Sequence, residues 1–129
     1  MKVKQRILIV DDEEAIIFSY KKLLRGGHVE VDGCMCLEDA LVLIKSNKYS
    51  AVITDFRLSH SESSEGLEIL QCIRKYNPTT PVIFFTGYGS DEIKDQVLAL
   101  GACGYFDKPV HVVEIVKTLR AMGVEAGIS

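Results

Sequence analysis

The sequence predicts a single α/β domain in which helices cover both faces of a parallel sheet. Short apolar runs alternate with segments of helical period five times along the 129 residues. The runs are continuous rather than alternating, as expected for strands that are buried on both faces. Several of them end at a polar residue. Because the carboxyl ends of parallel strands share one edge of a sheet, this edge is where a ligand is expected.

Five runs of about four residues predict the strands, since they are too short for helices. These runs are 7–10, 29–33, 51–54, 82–85 and 103–106. The second run is the weakest, because Glu30 and Asp32 interrupt it.

Apolar residues recur with helical spacing after each run. The predicted helices cover 16–24, 37–44, 67–73, a segment that follows Ser90, and 112–119. Gly26 and Gly27 are expected to end the first helix, and Asn77, which precedes a proline, the third. Ser90 is a favourable N-cap for the fourth. Residues 123–129 are expected to fray after the fifth.

Composition excludes several classes of protein. The formal charge is -3 with a pI of about 5.6, and the charges are mixed along the chain, which argues against direct binding of nucleic acid. No run is long enough to cross a membrane, and no signal pattern opens the sequence, so we expect a cytoplasmic protein. The four cysteines lack metal or redox spacing and are expected to be reduced and mostly buried.

Five polar residues stand where the predicted strands end. Asp11 and Asp12 follow the first run, Asp55 follows the third, Thr86 follows the fourth, and Lys108 comes after the fifth. Neighbouring carboxylates about 4 Å apart repel by roughly 4 kcal/mol per pair at an effective dielectric of about 20. Mg²⁺ offsets such repulsion and accepts carboxylate oxygens. We therefore expect Asp12 and Asp55 to bind Mg²⁺ directly and Asp11 to assist, through water.

Asp55 is the candidate nucleophile, because a carboxylate can form an acyl phosphate. Lys108 and Thr86 would then stabilise the charge on the phosphoryl oxygens. Each residue taken singly also has an ordinary structural explanation, such as a helix cap for Asp11 and Asp12 or a turn for Thr86. The convergence of all of them on one sheet edge favours phosphoryl chemistry.

In these segments the chain resembles the receiver domain of bacterial two-component response regulators, over essentially its whole length. The matching motifs are ILIVDDEE (7–14), AVITDFRL (51–58), PVIFFTGYG (81–89) and ACGYFDKPV (102–110). They follow the family's order and spacing of acidic pair, phosphoacceptor, switch threonine and Lys-Pro segment.

The resemblance implies a flavodoxin-like doubly wound sheet with strand order 2-1-3-4-5 and five helices. It implies that Asp11, Asp12, Asp55 and the backbone carbonyl of Arg57 hold Mg²⁺. It further implies that Thr86 moves toward the phosphoryl group, that Tyr105 turns inward, and that the peptide bond after Lys108 is cis.

The resemblance also implies a function. Asp55 would accept a phosphoryl group from a sensor histidine kinase or a histidine phosphotransfer protein, with self-phosphorylation by small donors and slow autodephosphorylation. The modified domain would then present a changed face, made of the fourth helix, fifth strand and fifth helix, to a downstream effector. Residues 1–129 would form one receiver domain, with a core at about 5–122 and a tail at 123–129, as a monomer or a phosphorylation-dependent dimer.

The chain departs from the family pattern beside the acceptor. Family members carry a proline four residues after the acceptor and a glycine four residues later, but here position 59 is serine and the matching glycine is Gly66. The segment 59–65 is therefore about three residues too long. Arg57 and Tyr88 occupy positions that gate water access, and their size predicts slow hydrolysis of the acyl phosphate.

Other functions share parts of this residue pattern. A flavin or dinucleotide binder would need a glycine-rich loop after the first strand, where this chain has Asp11-Asp12-Glu13-Glu14. A phosphatase of the haloacid dehalogenase type also uses a strand-ending aspartate, a threonine or serine, and a lysine. It needs a second aspartate two residues after the nucleophile, where this chain has Arg57. A receiver-like module that binds partners without being phosphorylated is the other alternative, and the intact acidic set does not favour it.

Overall fold

The computed structural model describes residues 4–58, 65–87, 89–109 and 111–127. Five strands and five helices alternate along the chain. The strands are β1 (Gln5–Val10), β2 (Val29–Cys34), β3 (Ala51–Thr54), β4 (Val82–Thr86) and β5 (Gly104–Asp107). The helices are α1 (Glu14–Leu24), α2 (Leu37–Ser46), α3 (Glu65–Tyr76), α4 (Asp91–Ala99) and α5 (Val112–Ala121).

All paired strands are parallel and lie in the order β2-β1-β3-β4-β5. The predicted doubly wound sheet with five helices is confirmed. The chain starts in the middle of the sheet at β1, adds β2 on one side, and then crosses to β3 on the other. This order places the ends of β1 and β3 side by side, since Val10 pairs with Thr54.

Side chains that alternate along the strands divide the core into two layers. In β1, Leu8 and Val10 pack with the buried faces of α2, α3 and α4. Ile7 and Ile9 point to the opposite side and pack with α1 and α5. Each of these four side chains is fully buried, and full burial of a large aliphatic side chain contributes roughly 1.5–3 kcal/mol. The two layers hold the sheet edge rigid where the polar residues emerge.

The edge strands differ from the central ones. All residues of β3 and β4 are buried, whereas the middle of β2 and most of β5 are half-buried. The expectation of strands buried on both faces therefore holds for the centre of the sheet. At its edges a strand has a neighbour on one side only, and the covering helices leave part of it accessible.

The helix ends largely follow the sequence signals. The Ser90 side chain accepts a hydrogen bond from the Ile93 N–H at 3.2 Å and so caps α4, as predicted. Helix α1 ends at Leu24, two residues before the glycine pair, because Arg25 already has extended backbone. Gly26 then pairs with Val29 and turns the chain into β2.

The expected fraying after α5 is wrong for the residues that the structure describes. Gly123 has φ +86°, and the Val124 N–H donates to the Leu119 carbonyl, so a glycine-based C-cap ends the helix. Val124 and Ala126 are then buried against the α1 and α5 layer. The Gln5 side chain donates to the Gly123 carbonyl and accepts from the Glu125 N–H, each at 2.8 Å.

The cysteines are all free thiols, but only Cys34 is buried. Cys36 and Cys72 are half-buried and Cys103 is exposed, so the expectation of mostly buried thiols is wrong. Most of the long segment 59–65, namely residues 59–64, lies outside the described part of the chain, as does Tyr88. Among the described helices, none has the length and apolar character needed to cross a membrane.

Candidate phosphoryl-acceptor site

Asp11 and Asp55 lie next to each other because they continue two neighbouring strands. The Asp11 N–H donates to the Cys34 carbonyl at 3.1 Å, and the Asp55 N–H donates to the Val10 carbonyl at 3.0 Å. Both residues are thus held by ladder bonds at the end of the sheet. Asp11 is 0% exposed and Asp55 is 4% exposed. Two buried carboxylates at one sheet edge require a compensating cation.

Lys108 supplies this compensation. Its Nζ lies 2.6 Å from Oδ2 of Asp11 and 2.9 Å from Oδ2 of Asp55. The backbone N–H of Lys108 donates to the Thr86 carbonyl at 2.9 Å, and its ammonium group stands 4.8 Å from the centre of the Phe85 ring. The Lys108–Pro109 peptide bond is cis. The lysine therefore reaches back from the end of β5 across β4 to the central pair of strands.

Burial and pairing act against each other at this cluster. Burial raises the pKa of Asp11, although the hydrogen bonds from Lys108 and from the Glu13 N–H oppose the shift. Burial alone would lower the pKa of Lys108, but its hydrogen bonds to Asp11 and Asp55 outweigh that effect and raise it. Lys108 thus remains protonated at neutral pH and stays available to bind anionic oxygens.

Asp12 completes a group of three carboxylates. One oxygen from each of Asp11, Asp12 and Asp55 lies within 4.8 Å of the others. Both oxygens of Asp11 already accept hydrogen bonds, one from the Glu13 N–H at 2.8 Å and one from Lys108. A set of hard oxygen donors this close together fits Mg²⁺.

A cleft of about 530 Å³ opens over this group. Its floor includes Asp12, Asp55 and Lys108, while Ile16 and Tyr20 of α1 form an apolar side. Arg57 lines the cleft next to the acceptor candidate, and its backbone N–H donates to Oδ1 of Asp55 at 3.3 Å. The cleft is large enough for a phosphoryl group with its hydration.

Thr86 and Tyr105 lie beside the cleft rather than in its lining. Thr86 is the last residue of β4, is 1% exposed and pairs with Asp107 in register. The Tyr105 hydroxyl is buried against Gly89, where a Cβ atom would come within 1.7 Å of the hydroxyl and within 2.6 Å of Oδ1 of Asp107. Burial and the neighbouring Asp107 carboxylate raise the pKa of Tyr105. The aromatic ring is therefore already directed inward in this structure.

Sequence reasoning missed some of the groups that surround Lys108. The carboxylate of Glu13 lies 3.8 Å from its ammonium group, and the Phe85 ring packs beside it. The acidic run after β1 could have pointed to Glu13. Nothing in the apolar run of β4 distinguishes Phe85 from its neighbours, because the contact depends on how the Lys108 side chain crosses the sheet.

Fold and site together define a doubly wound α/β domain with an acidic pocket at the carboxyl edge of its sheet. The family model for the response regulator receiver domain matches residues 7–120. The chain belongs to this family. Receiver domains are signalling domains of two-component systems rather than classical enzymes, and they bind Mg²⁺ at an acidic pocket. Response regulators interact with kinases and with downstream effectors.

Curated relatives are similar over most of this chain. The transcriptional regulatory protein YvrH of Bacillus subtilis is 33% identical over 116 residues, which are 89% of this chain and 47% of YvrH. The response regulator protein PilR of Pseudomonas aeruginosa is 32% identical over 127 residues, which are 95% of this chain and 28% of PilR. The chain thus corresponds to less than half the length of these two relatives.

Solved structures show the same fold. A CheY-like receiver domain protein from Methanospirillum hungatei JF-1 superimposes with a TM-score of 0.82 and 31% identity, covering 92% of both chains. The non-phosphorylated HemR receiver domain from Leptospira biflexa gives a TM-score of 0.75 and 26% identity, covering 92% of this chain and 94% of that domain.

Proposed function

We propose that this domain accepts a phosphoryl group on Asp55 from a sensor histidine kinase or a histidine phosphotransfer protein. The observation that carries the proposal is the position of the Asp55 carboxylate in the cleft, between two further carboxylates and the ammonium group of Lys108. The backbone holds Asp55 on both sides, because its own N–H and that of Arg57 are bonded around it. A nucleophile held in this way needs little reorganisation to attack.

In the proposed step an oxygen of Asp55 attacks the phosphorus of a phosphohistidine. A P–O bond forms to the carboxylate, and the P–N bond breaks with its electron pair going to the imidazole nitrogen, which takes up a proton. Negative charge is spread over the three equatorial phosphoryl oxygens. Lys108 is placed to bind one of them, since its ammonium group already bridges Asp11 and Asp55.

Asp11, Asp12 and Asp55, together with the backbone carbonyl of Arg57, would hold Mg²⁺. The cation would neutralise the crowded carboxylates and the phosphoryl oxygens. Both oxygens of Asp11 already accept hydrogen bonds from protein groups, so we expect Asp11 to contact the cation through water. Asp12 and Asp55 then provide the direct carboxylate ligands.

Thr86 and Tyr105 would couple phosphorylation of Asp55 to a rearrangement of the protein surface. Thr86 ends β4 next to the cleft, and its hydroxyl would bind a phosphoryl oxygen after a small shift. Tyr105 lies on β5 and packs against the helix α2, α3 and α4 layer. A shift of these two side chains would repack the face formed by α4, β5 and α5, where we place the contact with a downstream effector.

We further propose slow autodephosphorylation. Arg57 lines the cleft, and its bulk next to Asp55 restricts the approach of water. Tyr88, the second predicted shielding residue, is outside the described residues. Replacement of either side chain by alanine should shorten the lifetime of the phosphorylated protein. Equal lifetimes for wild type, Arg57→Ala and Tyr88→Ala would contradict this part of the proposal.

The remaining parts of the proposal concern the chain as a whole. We propose one receiver domain over residues 1–129 that works in the cytoplasm as a monomer or as a phosphorylation-dependent dimer. The burial of Val124 and Ala126 extends its core beyond the predicted end at about 122. The absence of an acid/base aspartate at Arg57 supports a single phosphoryl transfer rather than repeated turnover of phosphomonoesters.

The test is chemical labelling. The protein is treated with acetyl phosphate and Mg²⁺, trapped with borohydride, and mapped by mass spectrometry. We expect one stoichiometric label on Asp55, none on Asp55→Asn, and unchanged labelling of Asp95→Asn, which alters an exposed aspartate of α4. Persistent labelling of Asp55→Asn would move the acceptor elsewhere. Multiple turnovers of a generic phosphomonoester would favour the phosphatase instead.

A further inference from the structure

A second large groove lies between helix α1 and the edge strand β2. Its volume is about 720 Å³, which exceeds that of the acceptor cleft. Helix α1 contributes Phe18, Lys21, Lys22 and Arg25 to one wall, and β2 forms the other. Phe18 is 69% exposed, the largest exposed fraction among the large apolar side chains of the described residues.

The β2 wall presents backbone groups that the sheet does not use. The His28 and Cys34 carbonyls accept hydrogen bonds from the N–H groups of Gln5 and Asp11, at the two ends of β1. The backbone N–H and carbonyl groups of the even-numbered residues from 28 to 34 therefore point toward β1. Backbone groups alternate in direction along a strand, and those of Val31 and Gly33 therefore point away from the sheet. Within the described part of the chain, no other group forms a hydrogen bond with them. Two N–H and two carbonyl groups are thus open to a further strand.

The charges at the groove are unevenly paired. Glu30 and Asp32 of β2 are bound by Lys4, Arg6 and the Tyr49 hydroxyl. Lys21, Lys22 and Arg25 form no ion pair with another described residue. The groove therefore combines three uncompensated cations with one exposed aromatic ring.

We propose that this groove binds an extended acidic peptide segment of a partner protein, which adds to β2 as a short outer strand. The backbone groups of Val31 and Gly33 would fix its direction and register. Side chains alternate across a strand, so every second residue of the peptide faces α1. Carboxylates at those positions reach Lys21, Lys22 and Arg25, and an apolar residue among them packs on Phe18.

The same cations could attract the phosphates of nucleic acid, but the other wall favours a peptide. A nucleic acid backbone has no N–H groups to pair with the open carbonyls of Val31 and Gly33.

This surface is separate from the acceptor cleft, since the two share no lining residue. Binding is therefore expected to be equal in wild type and in Asp55→Asn. The inference stands or falls independently of the phosphoryl transfer proposed above.

The test uses a fluorescein-labelled peptide that alternates glutamate and valine, titrated into the full chain at low salt. We expect saturable binding that weakens as salt rises. The double variant Lys22→Ala/Arg25→Ala should bind about five- to tenfold more weakly, in line with the loss of two exposed charge contacts. The matched control Lys94→Ala/Lys117→Ala removes two exposed lysines elsewhere and should bind like wild type.

Changes to the peptide leave the protein fold untouched and separate the two parts of the proposal. A peptide with glutamine in place of glutamate tests charge, and one with prolines at alternate positions removes the N–H groups needed for strand addition. Both should bind markedly less. Amide resonances of Val31 and Gly33 should shift on addition of the alternating peptide in a two-dimensional NMR spectrum.

Three outcomes would overturn the proposal. The first is equal binding of the proline-containing peptide, which would reduce the groove to a nonspecific basic patch. The second is tighter binding of a DNA oligonucleotide than of the acidic peptide in the same assay. The third is the absence of shifts at Val31 and Gly33 in the presence of saturating peptide.

Discussion

The two ends of the sheet differ in what they bury, since the carboxyl end buries charged groups and the amino end buries apolar groups. At the carboxyl end, the carboxylates of Asp11 and Asp55 are both buried, and the ammonium group of Lys108 compensates their charge. At the amino end, Val124 and Ala126 fill an apolar layer, and the neutral Gln5 side chain closes it with two hydrogen bonds. The carboxyl end holds like charges close together, whereas the amino end is closed by uncharged side chains.

The difference explains how the domain accommodates a cluster of buried charges without losing its fold. The free energy gained by pairing buried charges is offset by the cost of removing them from water. The carboxyl end of the sheet therefore contributes little net stability. It needs support from apolar packing elsewhere, and the fully buried strands β3 and β4 provide it together with the packed tail. Substitutions at the two ends should therefore separate reactivity from stability.

The largest effect is expected for Lys108→Met. Removing the ammonium group leaves two buried carboxylates without a cationic partner, and we expect a loss of about 3–5 kcal/mol in the free energy of unfolding at neutral pH. Phosphorylation of Asp55 should be lost as well. Urea denaturation measures the first and acetyl phosphate labelling the second, with Lys117→Met as a control on an exposed lysine.

The sign of the pH dependence sharpens this prediction. Burial raises the pKa of Asp11 in the folded protein, so its contribution to stability is present at low pH and is lost as the pH rises through the folded pKa. Without Lys108 this pKa should rise further. The deficit of Lys108→Met should therefore shrink on acidification, and a deficit that is constant from pH 7 to pH 4 would contradict the electrostatic explanation.

The next effect in size belongs to the amino end. Val124→Ala removes two methylene equivalents from a site that is 3% exposed, and we expect a loss of about 2 kcal/mol in unfolding free energy. The rate of phosphorylation should stay the same. Val113→Ala, at a site that is 55% exposed, is the matched control and should be close to neutral. A slowed labelling reaction in Val124→Ala would show that the two ends are coupled.

Much of the acceptor end could be predicted from sequence, whereas the amino end could not. Asp11, Asp55 and Thr86 each follow an apolar run, and parallel pairing then brings strand ends together whatever the details of packing. Val124 and Ala126 stand between glycines in a segment with no periodicity. Their burial depends on the space left between α1 and α5, which no local pattern records.

Individual side-chain contacts in the site could not be predicted from the sequence either. Lys108 was expected to face a phosphoryl group, but its simultaneous contact with Asp11 and Asp55 depends on its rotamer and on the packing of Phe85. The contact between the Tyr105 hydroxyl and Gly89 could not be predicted either, because a single glycine does not indicate which ring approaches it. Such contacts follow from the assembled fold.

A smaller effect is expected for Gly89→Ala, near the carboxyl end. The new methyl group would occupy the place of the Tyr105 hydroxyl, so the ring should move outward. Because burial raises the pKa of Tyr105, exposure should lower it toward its usual value. Ultraviolet titration of the phenols measures this change. Gly87→Ala is the control, because among the described residues no atom apart from those of its chain neighbours lies within 4 Å of the added Cβ. Its titration should match wild type.

The last prediction compares the reactivity of two thiols at opposite ends of the sheet and involves the smallest change in stability at neutral pH. Burial raises the pKa of Cys34, at the end of β2, to about 12 from an ordinary 9.0. Its contribution to stability is thus complete below pH 9 and is lost as the pH rises toward 12. Cys103, just before β5, is exposed. At pH 8 an alkylating reagent should modify Cys103 well before Cys34, as measured by peptide mapping. Similar rates would mean that the end of β2 opens readily, so that the Cys34 carbonyl would no longer hold the Asp11 N–H in place.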